Sequence, residues 1–145
     1  MKIRVVVAGK PRLAYAKTGL EEYSKRLAKS GRFELVVVRE GKQEEEGRRL
    51  LDASAGFIRV ALDERGQAAG TLELARKLGR WEMQGEKGVA FLIGGAEGHA
   101  GLLRERADWL FRLSSLTLQH ELALLVLLEQ LYRVETIKRG EPYHR

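Results

Sequence analysis

The stretch that decides the fold is VAFLIGGAEGH, residues 89–99, in which five apolar residues run directly into a turn with three glycines. A continuous apolar run without polar alternation is typical of a strand buried on both faces, as in the centre of a parallel sheet. The turn then lies at the carboxyl end of that strand, where ligands bind in open α/β sheets. A tight turn without a ligand is the alternative, because the pattern matches neither the dinucleotide-binding nor the Walker motif.

The composition indicates one globular domain, since 44% of the 145 residues are hydrophobic and 32% are charged. The absence of cysteine excludes a disulfide scaffold, a thiolate metal site and a cysteine nucleophile, and no spacing of His, Asp and Glu suggests a metal site. The formal net charge of +6 suits a polyanionic partner such as nucleic acid. Met1 leads straight into a strand-like segment with no signal peptide or membrane span, so we expect a cytoplasmic protein.

Apolar periodicity divides the chain into five strand–helix pairs. Strands are expected at residues 3–8, 33–38, 57–62, 89–93 and 109–113, and helices at 13–31, 42–55, 71–85, 100–107 and 119–138. We expect the third strand to end at Leu62, where residues 63–66 turn the chain, and Thr71 to cap the following helix. This order predicts an α/β fold, with a mostly parallel sheet and helices on both faces.

The last helix is apolar on every side over residues 122–128. Packing one face against the sheet does not bury such a segment, and exposed apolar surface costs roughly 25 cal/mol per Å². The segment therefore predicts a second partner surface, most simply that of a homodimer. A helix wedged into the core of the monomer is the alternative.

Three blocks of sequence carry a family resemblance: LIGGAEG at 92–98, LSSLTLQHELA at 113–123, and LYR at 131–133 with the terminal PYHR at 142–145. In this order, and over the whole chain, they resemble the RlmH family of the SPOUT methyltransferases. The family often has proline at the positions of Ala96, Gln119 and Glu121, which are departures in this chain. A non-catalytic ribosome-binding or assembly module with the same fold is the alternative function.

The resemblance implies a fold with a trefoil knot, assembled as a homodimer. It also implies that the protein transfers a methyl group from S-adenosylmethionine to N3 of a pseudouridine in helix 69 of 23S rRNA on assembled ribosomes. The donor-binding positions that it implies follow the third, fourth and fifth strands: Leu62, Gly94, Leu113, Ser114, Ser115, Leu116, Thr117 and Leu118. Backbone groups walled by leucines suit an adenine, and the Ser and Thr side chains are equally explained as caps of the next helix.

The acceptor N3 is an imide nitrogen that must lose its proton, so a general base or a group that stabilises the anion is needed. The candidate catalytic residues are His120, Tyr143, His144 and Arg145. His120 lies at the start of the last helix, where the dipole favours a neutral imidazole; a structural hydrogen bond is its alternative role. The resemblance implies that the terminal residues contribute to the substrate site across the dimer interface.

Several other polar residues have two readings each. Glu97 orients a ligand or favours the next helix start, Arg133 contacts phosphate or pairs with Glu129, and His99 is expected at the surface or as a cap. Two basic clusters either attract rRNA or form solvated faces. Their members are Lys25, Arg26, Lys29, Arg32, Lys138 and Arg139.

Overall fold

A computed structural model describes residues 1–144, with side chains as far as Tyr143. The elements of this part of the chain are β1 (Lys2–Ala8), α1 (Ala14–Ala28), β2 (Phe33–Val38), α2 (Gln43–Ala53), β3 (Ile58–Ala68), α3 (Thr71–Met83), β4 (Gly88–Ile93), α4 (Gly101–Arg106), β5 (Trp109–Arg112), α5 (His120–Lys138) and a 3₁₀ turn (Pro142–His144). Of the candidate catalytic residues, Arg145 and the side chain of His144 lie outside the described part. Within residues 1–144, no helix is long and apolar enough to cross a membrane.

The described strands form one parallel sheet in the order β2-β1-β4-β3-β5. β4 lies at the centre of this sheet and consists mostly of the apolar run of residues 89–93. Every residue of β4 is buried. In the register, Phe91 lies between Val5 of β1 and Val60 of β3. The prediction of an α/β fold with a mostly parallel sheet is confirmed.

Helices cover both faces of the sheet, as predicted. α1, α3 and α5 pack on one face, where Phe91, Trp109 and Leu127 belong to the larger core. α2 and α4 pack on the other face, where Leu50 and Leu103 belong to the smaller core. Because successive side chains of a strand point to opposite faces, β4 contributes to both cores.

β3 is longer than predicted, and the prediction that it ends at Leu62 is wrong. Leu62 pairs with Phe111 of β5, the ladder is interrupted, and it resumes with Gln67 opposite the same Phe111. Gly66 lies so close to β5 that a Cβ there would come within 2.5 Å of the Leu110 carbonyl oxygen. The segment between Leu62 and Gln67 is therefore a bulge that remains against β5 and brings charged side chains to the strand ends.

The start of α3 also differs from the prediction. Gly70 occupies the N-cap, and Thr71, predicted as the cap, is the first helical residue. The Thr71 hydroxyl donates a hydrogen bond to Oε1 of Gln130 at 2.6 Å, so this side chain connects α3 to α5. Gly85 follows the helix in the left-handed region at φ +79°, as expected of a residue that ends it.

α5 lies on the sheet between α1 and α3. Its almost fully buried leucines include Leu124, Leu127 and Leu128. Gly19 of α1 allows α5 to approach, because a Cβ there would come within 2.3 Å of the Leu125 side chain. α5 is therefore wedged into the core of the monomer, and this packing buries part of its apolar surface. Leu122, Leu125 and Val126 are only half-buried in the described chain. The homodimer stays a prediction.

Candidate functional site

A cleft of about 680 Å³ opens at the edge of the sheet where the parallel strands end. Its walls come from the residues that follow β3, β4 and β5 and from the first turn of α5. It brings together most of the implied site residues: Leu62, Gly94, Leu113, Ser114, Leu116, Thr117, Leu118 and His120. Ser115 is exposed and lies outside the lining. Segments far apart in sequence meet here because the carboxyl ends of parallel strands share one edge.

A buried carboxylate holds the glycine turn after β4. Gly95 donates its backbone N–H to Oε1 of Glu46 at 3.1 Å, and Gly41 donates to Oε2 of Glu46 at 3.0 Å. At Gly94, a Cβ would come within 3.1 Å of a backbone carbonyl oxygen of the same turn, so a larger residue there would require the turn to shift by a few tenths of an ångström. Sequence reasoning missed Glu46, although it lies four residues before Leu50 on the buried face of α2, where a charged residue is unusual.

The loop between β5 and α5 forms a second wall of the cleft. Oγ of Ser114 accepts the backbone N–H of Leu116 at 2.9 Å and closes a turn within the loop. Leu113 packs against the larger core, while Leu116 is 74% exposed at the cleft. The loop therefore combines an anchored first residue with an apolar side chain that is free to contact a ligand.

Gln119 caps α5. Its Oε1 accepts the backbone N–H groups of Glu121 at 2.9 Å and Leu122 at 3.1 Å. The prediction that the loop Ser and Thr side chains cap this helix is therefore wrong, because the residue that precedes His120 performs that role. Proline, which the family often has at the position of Gln119, has no side-chain group that could accept these two N–H groups.

His120 is the first residue of α5 and is half-buried in the cleft. Nε2 of Gln119 lies 3.3 Å from Nδ1 of His120. Since Oε1 of Gln119 accepts two N–H groups, its Nε2 is the donor and Nδ1 is the acceptor. With Nδ1 as the acceptor, the ring proton lies on Nε2.

Glu121 connects the start of α5 to the loop after β1. Its Oε1 accepts the backbone N–H groups of Arg12 at 2.7 Å and Leu13 at 2.9 Å. The bond from Leu13 first, and then that from Arg12, hold the pKa of Glu121 below its usual value against the opposing effect of burial. The two departures beside His120 therefore both have structural roles.

His99 is buried, so the prediction of a surface position is wrong. Its side chain lines the cleft, the residue is only 6% exposed, and Nε2 lies 3.1 Å from the carbonyl oxygen of Leu92. Burial lowers the pKa of His99, although the Leu92 carbonyl and the charge of Asp63 work in the opposite direction. We therefore treat His99 as a neutral imidazole that joins the floor of the cleft to the end of β4.

Asp63, in the bulge of β3, is the most buried acid of the cleft. Its Oδ2 lies 2.9 Å from Nε of Arg104, and its Oδ1 lies 3.5 Å from Nε of Arg65 and accepts the Arg65 backbone N–H at 2.8 Å. Burial raises the pKa of Asp63, but the hydrogen bond from Arg65 and the charges of Arg104 and Arg65 outweigh it and keep the pKa below its usual value. Asp63 is therefore ionised at neutral pH.

Tyr143 lies outside the cleft, on the opposite half of α5. Its hydroxyl donates to Oε2 of Glu129 at 2.9 Å and lies 3.2 Å from the hydroxyl of Tyr23. The ring packs edge-on against Tyr132 at a centroid distance of 4.8 Å, and Arg133 lies over it at 5.0 Å. Burial first, then the bonds to Tyr23 and Glu129, raise the pKa of Tyr143 above its usual value. This side chain anchors the C-terminal tail on α1 and α5.

The basic residues singled out from the sequence are mostly engaged with acids. Arg133 pairs with Glu129 at 2.8 Å, which is the structural one of its two readings. Within the two clusters, ion pairs join Arg26 to Glu22, Arg32 to Glu135, Lys138 to Glu82, and Arg139 to Glu135 and Glu141.

Glu97 lines the cleft through the glycine turn, and its carbonyl oxygen accepts a hydrogen bond from Nε2 of Gln43 at 2.9 Å. This contact connects the turn to the start of α2. Among residues 1–144, no group of three or more His, Asp or Glu side chains is arranged to hold a metal ion.

The sequence profile described as "Predicted SPOUT methyltransferase" matches residues 1–144. This chain belongs to the SPOUT methyltransferase family. Family membership accounts for the position of the cleft at the end of the parallel strands, between the glycine turn and the loop before α5.

Individual members of the SPOUT family match along their whole length. A protein from Thermus thermophilus, named ribosomal RNA large subunit methyltransferase H, is 55% identical over 145 residues, covering 100% of this chain and 99% of the relative. A protein of the same name from Deinococcus radiodurans is 40% identical with the same coverage. The crystal structure of a probable methyltransferase from Bordetella pertussis Tohama I has a TM-score of 0.58 at 12% identity, covering 92% of this chain and 95% of that one, which shows a common fold.

Proposed function

We propose that this protein transfers a methyl group from S-adenosylmethionine to N3 of a pseudouridine in helix 69 of 23S rRNA, on assembled ribosomes in the cytoplasm. One observation carries the proposal: residues at the ends of β3, β4 and β5 that match the family's donor-binding positions line a single cleft together with His120. Membership of the SPOUT family and relatives named as large-subunit rRNA methyltransferases support the same reaction.

The cleft suits S-adenosylmethionine by size and by lining. A volume of about 680 Å³ lies within the range of small-molecule sites. Leu62, Leu113 and Leu118 supply apolar walls, and Gly94 leaves backbone where a side chain would otherwise fill the space. The bound donor supplies an electrophilic methyl group, so these residues have to hold it in line with the acceptor and exclude water.

His120 is proposed to stabilise the anion that forms on the target base. With Nδ1 accepting from Gln119, the proton on Nε2 is available to donate toward negative charge in the cleft. In this state Nε2 has no free lone pair to accept the imide proton. We therefore propose His144, in the tail, as the general base. Arg145 is proposed to hold a phosphate or the developing anion.

The position of Tyr143 supports action of the tail on a partner subunit. Tyr143 binds Glu129, which follows His120 by nine residues on α5. At 1.5 Å per residue this separates the two sites by about 14 Å along the helix. The backbone of the two residues after Tyr143 extends by at most about 7 Å, which falls short of this separation and favours action of the tail on the cleft of a second copy.

We propose the homodimer on the same grounds, and we propose the trefoil knot because the chain belongs to the SPOUT family. The start of α1 and the loop before α5 expose apolar side chains, since Leu13 is 39%, Tyr15 48% and Leu116 74% exposed. Together with the half-buried leucines of α5, they form an apolar face near the cleft. Sedimentation of the purified protein should give a mass of about two chains.

The reaction is tested by incubating ribosomes that lack the modification with protein and S-adenosylmethionine, followed by mass spectrometry of 23S rRNA fragments. A single added methyl group on one pseudouridine of helix 69 is expected. A folded protein that binds ribosomes but shows no heat of binding with high-micromolar donor would instead be the non-catalytic module.

Deletion of residues 143–145 tests the tail separately. Methylation should be abolished, while donor affinity and the sedimentation coefficient stay nearly unchanged. Turnover by the shortened chain would show that the substrate site does not include Tyr143, His144 or Arg145. A shortened protein that no longer binds donor would place the tail in the donor pocket, against this proposal.

A further inference from the structure

Unpaired nitrogen atoms collect on one side of the cleft. Among the described residues, four buried side-chain polar atoms have no hydrogen bond, and two of them, Nδ1 of His99 and Nε of Arg112, belong to residues that line the cleft. A third, Nε of Arg104, lies 2.9 Å from Oδ2 of Asp63 and is satisfied by that ion pair. Buried polar groups are paired in about nine cases out of ten, so such a cluster indicates a partner that arrives on binding.

Arg112 is the least satisfied of these residues. Within residues 1–144 its half-buried side chain has no ion pair and no hydrogen bond. It ends β5, where it pairs with Ala68 beyond the bulge of β3, and it lines the cleft together with Asp63. A partly desolvated guanidinium without an acceptor costs free energy, and a bound anion would recover it.

The charges around Arg112 favour an anion as the missing partner. Arg65 and Arg104 both pair with Asp63, and between them they occupy both of its carboxylate oxygens. Arg112 is therefore left without a counter-charge at this side of the cleft. Arg65, whose side chain is 63% exposed, lines the cleft beside it and remains accessible to a ligand.

Two further acids line the cleft, and neither neutralises this group. In the described part of the chain, Glu64 and Glu97 form no ion pair with Arg65 or Arg112. Glu64 is exposed in the bulge, and Glu97 belongs to the turn after β4 on the other side of the cleft. Arg112 thus lines the cleft without an acid paired to it among residues 1–144.

We propose that Arg112, with Arg65 beside it, binds a backbone phosphate of the RNA next to the nucleotide that enters the cleft. This rests on the proposed function and adds a substrate-positioning site to it. The two non-bridging oxygens of a phosphodiester match the paired N–H groups of a guanidinium. The carboxylate of the methyl donor fits less well, because its ammonium group, one carbon away, would lie beside the guanidinium, and the oxygens of Asp63 are already engaged by Arg65 and Arg104.

The test compares Arg112→Gln with Arg112→Lys and with Arg80→Gln, a control that removes an exposed arginine from α3, away from the cleft. Affinity for assembled ribosomes is measured without donor over a range of salt concentrations, and affinity for S-adenosylmethionine is measured by calorimetry. Arg112→Gln should weaken RNA binding by about five- to tenfold and lower the slope of log K against log salt by about one. Its donor affinity should stay within twofold of wild type, and Arg80→Gln should match wild type in both.

Arg112→Lys keeps the charge but loses the paired N–H groups, so it should keep the salt slope and lose about two- to threefold in RNA affinity. If Arg112→Gln does not fold, the RNA and donor affinities of Arg112→Lys test the proposal in its place. A loss of donor affinity with unchanged RNA binding assigns Arg112 to the donor carboxylate and overturns the proposal, as does a variant equal to wild type in both assays. These readouts need no turnover, so absence of methylation by the wild type would count against the proposed function alone.

Discussion

Replacing Tyr143 by Phe removes one hydroxyl from the tail anchor and leaves the ring in place. That hydroxyl bonds the Glu129 carboxylate at 2.9 Å and the Tyr23 hydroxyl at 3.2 Å. A hydrogen bond to a charged group contributes about 1.5–3 kcal/mol, and Glu129 keeps Arg133 as a partner, so a loss of about 2 kcal/mol is expected. This weakens docking of the tail by about 30-fold.

Because the tail is proposed to carry groups for the substrate and not for the donor, kcat on ribosomes should fall by up to about 30-fold. Donor affinity, measured by calorimetry, should stay within twofold of wild type. Tyr23→Phe is the matched control: it removes only the bond between two neutral hydroxyls, worth about 1 kcal/mol, and should reduce kcat by about fivefold at most. Wild-type kcat in Tyr143→Phe would refute the anchoring role.

Two further predictions concern the part of the fold that supports the cleft. Gly66→Ala should destabilise the protein by about 1–3 kcal/mol in urea unfolding, because its Cβ would meet the Leu110 backbone at 2.5 Å. Gly79→Ala, within α3 and with no neighbour within 4 Å of its Cβ, should stabilise by about 0.5–1 kcal/mol, and equal effects of both would contradict the bulge geometry. Asp63→Asn should be less stable than wild type at pH 7, and the difference should shrink as the pH falls below 3.8, the usual pKa, because the lowered pKa of Asp63 stabilises the fold only while the group is ionised. A difference that does not depend on pH would mean that Asp63 acts by packing alone.

The order of elements was predictable because each carries a local signal. Residues 33–38 were expected as a strand and form β2, and α5 begins one residue after its predicted start. The end of β3 was not predictable, since Asp, Glu, Arg and Gly in succession favour a turn. Pairing with β5 overrides that preference: Gly66 admits the Leu110 backbone, and Nε1 of Trp109 donates to Oε1 of Gln67 at 3.0 Å.

The candidate site, like the fold, was predictable from the sequence only in part. Family resemblance supplied seven of the cleft residues and His120 from their motifs alone. It did not supply Glu46, whose carboxylate holds the glycine turn from 49 residues away. It also placed Tyr143 with the catalytic residues, whereas the hydroxyl is engaged by Glu129 and Tyr23.

The sequence by itself determined the parallel sheet, its buried central strand and the edge at which the cleft opens, because hydrophobic periodicity and glycine turns act over a few residues. Only the tertiary structure decided that His99 is buried and neutral, that Arg112 has no acceptor among residues 1–144, and that the tail is anchored about 14 Å from His120 along α5. Those outcomes depend on charges, hydrogen bonds and excluded water between residues distant in the chain. A local pattern contains no record of them.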